Sequence, residues 1–485
     1  GGFQEVEQMN LFKDMVCYQE EVRDPSRMAE VLNRVIEKAF RGSAPAQINV
    51  PRDYWTQVID IELPPIVRFE RQGGGKEAIE NAAKLLSKAK FPVILSGAGV
   101  VLGGAIDECK KLAEKLDAPV CNGYQHNDSF PGSHPLAVGP LGYNGSKAAM
   151  ELISKADVVL ALGTRLNPFS TLPGYGIDYW PKKATIIQVD MNPDRIGLTK
   201  KVSVGICGDA KQVAQQILDK LSSDAGNTGR EERKNLIHKT KSAWLQTLSG
   251  LDHEEDDPGT VWNKEARERD KDRMSPRQAW RAIQDALPQD AIISSDIGNN
   301  CAIGNAYPTF EKPRKYLAPG LFGPCGYGFP AILGAKIGCP DTPVVGFAGD
   351  GAFGISMNEM SSCAREEWPA ITMVIFRNYQ WGAEKRNSIL WFDDNFVGTE
   401  LDPELSYAKV ANACGLKGVT CKTMEETTKA IKQSCEDQKK GITTFIEIIL
   451  NQELGEPFRR DAMKKPVKVA GIKKEDMKKQ PSLIS

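Results

Sequence analysis

Asp350, set between glycines in Gly349-Asp350-Gly351, is followed 28 positions later by Asn378. A carboxylate and an amide oxygen held side by side suit a hard divalent cation such as Mg²⁺, which takes oxygen ligands and is usually shared with substrate phosphates. The residues between them supply the means of bringing them together. Residues 344–348 are apolar and predict a short buried strand, 349–351 a sharp turn, 355–365 a helix carrying Ile355, Met360 and Cys363, and 371–376 a second strand. In such a βαβ unit the strands run parallel, so Asp350 and Asn378 meet at the carboxyl edge, where an open α/β sheet takes its ligand. The glycines let a phosphate approach the backbone, and a helix starting near Phe353 aims free N–H groups at the same spot. The tripeptide alone reads more readily as a plain strand-to-helix turn with Asp350 as a cap. The flanking strand and helix, and Asn378 at the next strand end, tip the reading toward a metal site.

Similar polar groups end another expected strand, 291–295, which runs into Asp296-Ile297-Gly298-Asn299-Asn300. A glycine-rich loop over 320–330 opens a helix over 331–337, and Ser275-Pro276-Arg277 caps a helix over 278–287. With a helix-and-strand layer to 450, these form one domain over 275–450. Upstream, strands over 92–96, 118–121, 157–162 and 185–189 and a helix over 105–116 predict a central parallel sheet of Rossmann type within 73–222. Gly97 and Gly99 suggest a dinucleotide turn, but the third glycine, Gly103, comes one place late for GxGxxG. Close helix-to-strand packing is the preferred reading of those glycines.

Residues 1–58 carry a one-sided helix over 27–40, with Met28, Val31, Leu32, Val35 and Ile36, and a strand near 45–51. That is too little for an independent core and reads as the C-terminal remnant of a further α/β domain. Pro64-Pro65 and three glycines mark a linker over 59–75. Residues 223–274, with an acidic knot at 252–257, read as a charged linker, and 451–485 as an arm and a Lys- and Pro-rich tail. The expected fold class is therefore α/β, with three doubly wound parallel-sheet domains, the first incomplete.

The length, 485 residues, suffices for about three such cores. A formal net charge of −1 gives no electrostatic case for nucleic acid or an anionic membrane. Eleven singly spaced cysteines and four histidines, without a CxxC pair, point to a reduced compartment and away from zinc. No run reaches the roughly 18 to 20 apolar residues of a membrane helix and no signal peptide is seen, so a cytoplasmic protein is expected.

The Gly-Asp-Gly turn with its later Asn resembles the diphosphate- and metal-binding motif of thiamine diphosphate enzymes. The phrases Gly123-Tyr124-Gln125-His126-Asn127-Asp128, Gly139-Pro140-Leu141-Gly142-Tyr143-Asn144-Gly145, Leu166-Asn167-Pro168-Phe169-Ser170 and Gln380-Trp381-Gly382-Ala383-Glu384-Lys385-Arg386-Asn387, with the arm over 456–463, narrow the likeness. Over essentially the whole chain they resemble the sulfoacetaldehyde acetyltransferases, relatives of the acetolactate synthases. The resemblance implies thiamine diphosphate and Mg²⁺ as cofactors, without FAD. It implies conversion of sulfoacetaldehyde and phosphate to acetyl phosphate and sulfite, in the breakdown of taurine and related sulfonates. It also implies a homodimer or homotetramer with active sites between subunits.

Residue by residue, the resemblance implies that Asp350, Asn378 and the carbonyl of Gln380 hold the metal. Gly298, Asn299 and Asn300 would lie along the diphosphate, Gly349, Gly351 and Ala352 would meet it with backbone, and Cys325 stands where relatives carry a larger Met or Ile that props the cofactor. Phe3 and Gln4 match a Phe-Gln pair near substrate, and His126 is a candidate acid or base. The glutamate that activates the cofactor in these enzymes is implied upstream of Gly1, so the chain is expected to be N-terminally truncated and inactive alone. Two anionic substrate groups call for cations, for which Lys385, Arg386, Arg459 and Arg460 are candidates. Each of these singly reads more simply as a solvated surface charge. The competing readings are a keto-acid carboligase of acetolactate synthase type, which would consume pyruvate, and a non-catalytic thiamine-fold binding protein.

Overall fold

The computed structural model describes residues 2–65, 70–250, 268–320, 322–392 and 395–453. It divides into two compact units, Gly1–Arg71 and Gln72–Ser485. In the first, strand β1 (Tyr18–Glu21) pairs in parallel with β2 (Ala46–Asn49) across the helix Met28–Gly42. Val22, Val31 and Val35 form its small core. β1 escapes sequence reading because Tyr-Gln-Glu-Glu has no apolar alternation. Leu32 and Ile36, expected on the buried face of the helix, are 43% and 45% exposed.

The second unit holds two six-stranded, wholly parallel sheets. The central sheet runs β3 (Pro92–Ser96), β4 (Val120–Asn122), β5 (Ala137–Pro140), β6 (Val158–Leu162), β7 (Thr185–Asp190) and β8 (Val204–Cys207), in spatial order β5-β4-β3-β6-β7-β8. Its middle strands are apolar on both faces because helices such as Lys76–Lys88 and Ile106–Leu116 cover them. β5 and β8 lie at the sheet edges, where Gly139 and Pro140, and Gly205, are tolerated; those residues hide both strands from a sequence reading.

The C-terminal sheet comprises β9 (Ile292–Ser295), β10 (Tyr316–Leu317), β11 (Val344–Gly349), β12 (Thr372–Arg377), β13 (Lys417–Cys421) and β14 (Thr444–Ile449), in order β10-β9-β11-β12-β14-β13. Trp280 anchors its core, 4.8 Å from the ring of Phe347 and 5.3 Å from that of Phe376. From β9 the chain crosses to one side for β10 and to the other for β11, so the switch point of the sheet lies between β9 and β11.

Two expectations are corrected. The helix placed at 355–365 starts instead at Asp350, capped by Gly349, and breaks into Asp350–Ser356, a 3-10 turn Met357–Glu359 and Met360–Cys363. Asp350 is thus a first-turn residue, not a cap. The expected charged linker contains a 21-residue helix, Arg230–Gly250, that packs on the central sheet's layer. Its composition misled because Arg233, though charged, is buried and donates to five backbone carbonyls, those of Lys90, Leu116, Asp117, Gly226 and Thr228. The acidic knot and the C-terminal tail lie outside the described residues. Among the described residues, no helix is long and apolar enough to cross a membrane.

Candidate active site

β11 and β12 pair in a register that sets Gly349 opposite Phe376, so Asp350 and Asn378 leave adjacent strand ends. Asp350 accepts the Tyr379 N–H at 2.6 Å on Oδ2 and the Gly351 N–H at 2.9 Å on Oδ1. Both Asp350 and Asn378 are buried. The sequence reading missed a third member, Arg377, whose guanidinium donates to Asp350 Oδ2 at 3.1 Å and lies 3.7 Å from Glu447. It also donates to the carbonyls of Leu405 and Asp402 and stacks 4.3 Å from the Tyr379 ring centre. The available signal was a charged residue ending an otherwise apolar strand, which demands a buried partner. Burial pushes the Asp350 carboxyl up to about 6, and the Arg377 charge opposes that rise.

The donors at this edge fit a hard cation. Asp350 keeps free lone pairs beyond the bonds it accepts, and the amide of Asn378 has an enclosed Nδ2 without a partner. An Asn amide without a committed nitrogen is free to turn its oxygen toward an ion. The carbonyl of Gln380 follows two residues on, and nothing stands within 4 Å of where a Gly349 Cβ would be, leaving room beside the carboxylate. Among the described residues there is no group of three or more His, Cys, Asp and Glu, so a zinc-type cluster is not offered.

At the end of β9, the Asp296 carboxylate accepts N–H groups from Ile297 (2.8 Å), Gly326 (3.1 Å) and Gly328 (2.7 Å), lashing the glycine-rich loop to the strand. Gly298 adopts φ 135°, a conformation open in practice only to glycine. Asn299 and Asn300 are buried, and Asn299 Nδ2 and Asn300 Oδ1 have no partner, while Trp280 Nε1 donates to the Asn300 carbonyl at 2.7 Å. Enclosed polar atoms left unpaired beside a glycine without a side chain are what a polar ligand such as a diphosphate would satisfy. Gly351 has a tighter role, since a Cβ there would lie 2.8 Å from the Trp381 ring. Ala352 is buried next to it. Cys325 is half-buried against the hydrophobic cluster of Phe329 and Phe353, and burial raises its thiol pKa.

A cavity of about 410 Å³ opens within the second unit, walled by Tyr124, His126 and Arg165 on the central side and by Gly298, Asn299 and Arg386 on the other. The loop bearing His126 is bolted in place: Asn127 Nδ2 donates to the carbonyls of Asn305 (2.8 Å) and Pro308 (3.0 Å), and Asp128 accepts the Lys315 N–H at 3.0 Å. Burial, with the Arg165 charge adding to it, lowers the His126 pKa to about 4. The imidazole is therefore neutral near pH 7, fit to accept a proton or share a hydrogen bond but not to act as a charged acid.

The four cations proposed from sequence separate. Lys385 and Arg386 are 5% and 2% exposed, so the solvated-charge reading fails for both. Lys385 is committed to Glu400 and to Gln452 Oε1, and only Arg386 reaches the cavity, donating to the Tyr143 hydroxyl, which lies 3.4 Å from Asn299 Oδ1. Arg459 and Arg460 lie outside the described residues. Phe3 and Gln4 belong to the first unit; Phe3 is 94% exposed and Gln4 has φ 60°. Arg165 lines the cavity without having been singled out in the sequence.

Residues 79–217 match the family "Thiamine pyrophosphate enzyme, central domain", and 296–448 match "Thiamine pyrophosphate enzyme, C-terminal TPP binding domain". A probable sulfoacetaldehyde acetyltransferase of Rhizobium meliloti (strain 1021) is 78% identical over 99% of this chain and 81% of its own length. The sulfoacetaldehyde acetyltransferase of Roseovarius nubinhibens is 76% identical over 99% of this chain and 80% of its own. The chain belongs to the sulfoacetaldehyde acetyltransferase family. A probable acetolactate synthase large subunit of Methanocaldococcus jannaschii is more distant, 28% identical over 89% of this chain and 71% of its own. Benzoylformate decarboxylase from Polynucleobacter necessarius shares the fold, with a TM-score of 0.73 at 20% identity over 93% of this chain and 79% of that one. Within this family assignment the cofactor-binding match contains Asp296, Asp350, Asn378 and Arg386, and the central match contains His126 and Arg165, so the cavity lies between the two matched regions.

Proposed function

We propose that this protein converts sulfoacetaldehyde and inorganic phosphate to acetyl phosphate and sulfite, using thiamine diphosphate and Mg²⁺, as a cytoplasmic homodimer or homotetramer in sulfonate breakdown. The observation that carries the reading is the meeting of Asp350 and Asn378 at one sheet edge in a chain 69% to 78% identical to three relatives named for that activity. When bound, thiamine diphosphate supplies a nucleophilic carbon for the aldehyde. Asp350, Asn378 and the Gln380 carbonyl would hold the Mg²⁺ ion, which neutralises phosphate charge. Gly349 and Gly298 leave room beside it, and Asn299 and Asn300, whose side chains keep unpartnered polar atoms, would hydrogen-bond the diphosphate. Asp296 keeps the glycine-rich loop, with Cys325, against the same edge. His126 and Tyr124 line the cavity offered to the small substrates.

The test pairs turnover with binding. Incubated with sulfoacetaldehyde, the protein should release sulfite and form acetyl phosphate only when phosphate is present, without consuming pyruvate. Calorimetry should find thiamine diphosphate binding that requires Mg²⁺ and is weakened at least about a hundredfold by Asp350→Asn, the loss of one charged ligand to a shared ion. Pyruvate consumption with acetolactate formation, or Mg²⁺-independent cofactor binding, would defeat the proposal.

A further inference from the structure

The cavity contains a cation that no bonded counter-ion meets among the described residues. Arg165 lines it, half-buried, and among the described residues it makes no hydrogen bond or ion pair. Its nearest charged influences are an opposing Arg195 and an attracting Asp190. Among the described residues the enclosed cations of the C-terminal sheet edge are engaged: Arg377 with Asp350, Lys385 with Glu400, Arg386 with the Tyr143 hydroxyl. Opposite Arg165 the wall carries Asn299 Nδ2 and Asn305 Oδ1, both enclosed and both without a partner. Asp296 is the only carboxylate among the lining residues, and three backbone N–H groups already hold it.

The backbone that presents Arg165 is under strain. Leu166, fully buried, takes a left-handed φ of 54°, a conformation that a branched side chain disfavours. Three hydrogen bonds keep it there: Thr199 Oγ1 to the Leu166 carbonyl (2.6 Å), the Leu166 N–H to Thr164 Oγ1 (3.2 Å) and Gln188 Nε2 to the Thr164 carbonyl (3.1 Å). Strain held by such a frame at a cavity wall is a mark of a positioned functional group.

We propose that Arg165, with His126 and Asn299 as hydrogen-bonding neighbours, seats the free tetrahedral oxyanion co-substrate, inorganic phosphate. This rests on the reaction proposed above. A phosphate that carries more than one negative charge gains most from a guanidinium without a bonded counter-ion, whose planar fork meets two oxygens at once. Arg386, already bonded to a phenol and linked through it to Asn299, is left for the singly charged sulfonate.

The experiment compares the Mg²⁺- and thiamine diphosphate-loaded wild type with Arg165→Gln and Arg165→Lys, by calorimetric titration with inorganic phosphate and by KM for each substrate. Arg165→Gln should weaken phosphate binding and raise the phosphate KM at least about tenfold, the scale of one lost charge-assisted hydrogen bond, with the sulfoacetaldehyde KM within about twofold. Arg165→Lys keeps charge without the fork and should fall between. Unaltered phosphate affinity in both variants overturns the proposal, and so does a rise confined to the sulfoacetaldehyde KM, which would give Arg165 to the sulfonate. If Arg165→Gln unfolds, unaltered phosphate binding by Arg165→Lys alone overturns it. Sulfite release with a wild-type phosphate response in Arg165→Gln sinks the anion seat and leaves the reaction standing. Arg165-dependent phosphate binding without any sulfite release does the reverse.

Discussion

Replacing Arg377 by Met tests the central edge of the site. Arg377, Asp350 and Glu447 are each 2% exposed or less, and the guanidinium lies 3.1 Å from one carboxylate and 3.7 Å from the other. At an effective dielectric near 20, those separations correspond to attractions of about 5 and about 4.5 kcal/mol. Methionine fills similar volume but leaves two buried carboxylates without a counter-charge. Asp350 keeps the Tyr379 and Gly351 N–H groups, and Glu447 keeps Ser406 Oγ at 2.7 Å, so each is partly satisfied, and a carboxyl can also take up a proton. The net loss expected for the ligand-free protein is about 3 to 5 kcal/mol, the cost of breaking a buried pair from one side.

The assay is urea unfolding of wild type and Arg377→Met, each with and without Mg²⁺ and thiamine diphosphate. A divalent ion at Asp350 replaces the charge that was removed, so the ligands should stabilise the variant more than the wild type and restore about half of the loss. A ligand-free loss under about 1 kcal/mol would refute the counter-ion role of Arg377. Equal stabilisation of both proteins by Mg²⁺ and cofactor would refute the placement of the ion at Asp350.

Arg233→Met should cost about 4 kcal/mol or more in urea unfolding, because five carbonyls lose their donor at once, and Arg233→Lys should rescue little since an ammonium has three donors. His126 predicts an acid-side loss of stability. Its folded pKa of about 4 lies below the value near 6.5 it has when unfolded, so the unfolded chain takes up the proton first as pH falls. The stability it contributes is present above about 6.5 and lost progressively toward 4, to a total of about 3 kcal/mol. The difference between wild type and His126→Gln, measured at pH 7.5 and at pH 4.5, isolates this group, and a difference independent of pH would count against the enclosed imidazole.

The strands that position the site were legible because they are short, apolar and bounded by glycine or polar residues: β3, β6, β7, β9, β11 and β12 lie within two residues of where the pattern puts them. Asp350 and Asn378 were legible for the same reason, since a parallel βαβ unit leaves little freedom in where its strand ends fall. The partners of those groups were not. Arg377 next to Asn378, Arg233 within a charged run and Arg386 beside Lys385 all look like solvated cations in one dimension, where composition averages over both faces of an element. What distinguishes them is a set of carbonyl, carboxylate and hydroxyl acceptors contributed from elsewhere in the chain, a hundred or more positions away for the Asp117 carbonyl that meets Arg233 and the Tyr143 hydroxyl that meets Arg386.

The glycines make the same point more sharply. Both large sheets have a switch point, between β3 and β6 in the central one and between β9 and β11 in the C-terminal one, and glycine stands at the strand ends in each. In the central sheet the Gly97 N–H donates to the Leu162 carbonyl at 3.1 Å and the Gly99 N–H to the Gly163 carbonyl at 2.8 Å. A Cβ on Gly97 would lie 2.6 Å from the Gly163 oxygen, and one on Gly99 2.7 Å from the Gly163 Cα. Those glycines let two backbones close the crevice. At Gly298 and Gly349, by contrast, nothing stands within 4 Å of the missing side chain. The same residue type shuts one crevice by contact and leaves space at the other. The sequence distinguishes the two only through the neighbours it supplies, a second glycine across the gap in the first case, and Asp350, Asn299 and Asn378 in the second.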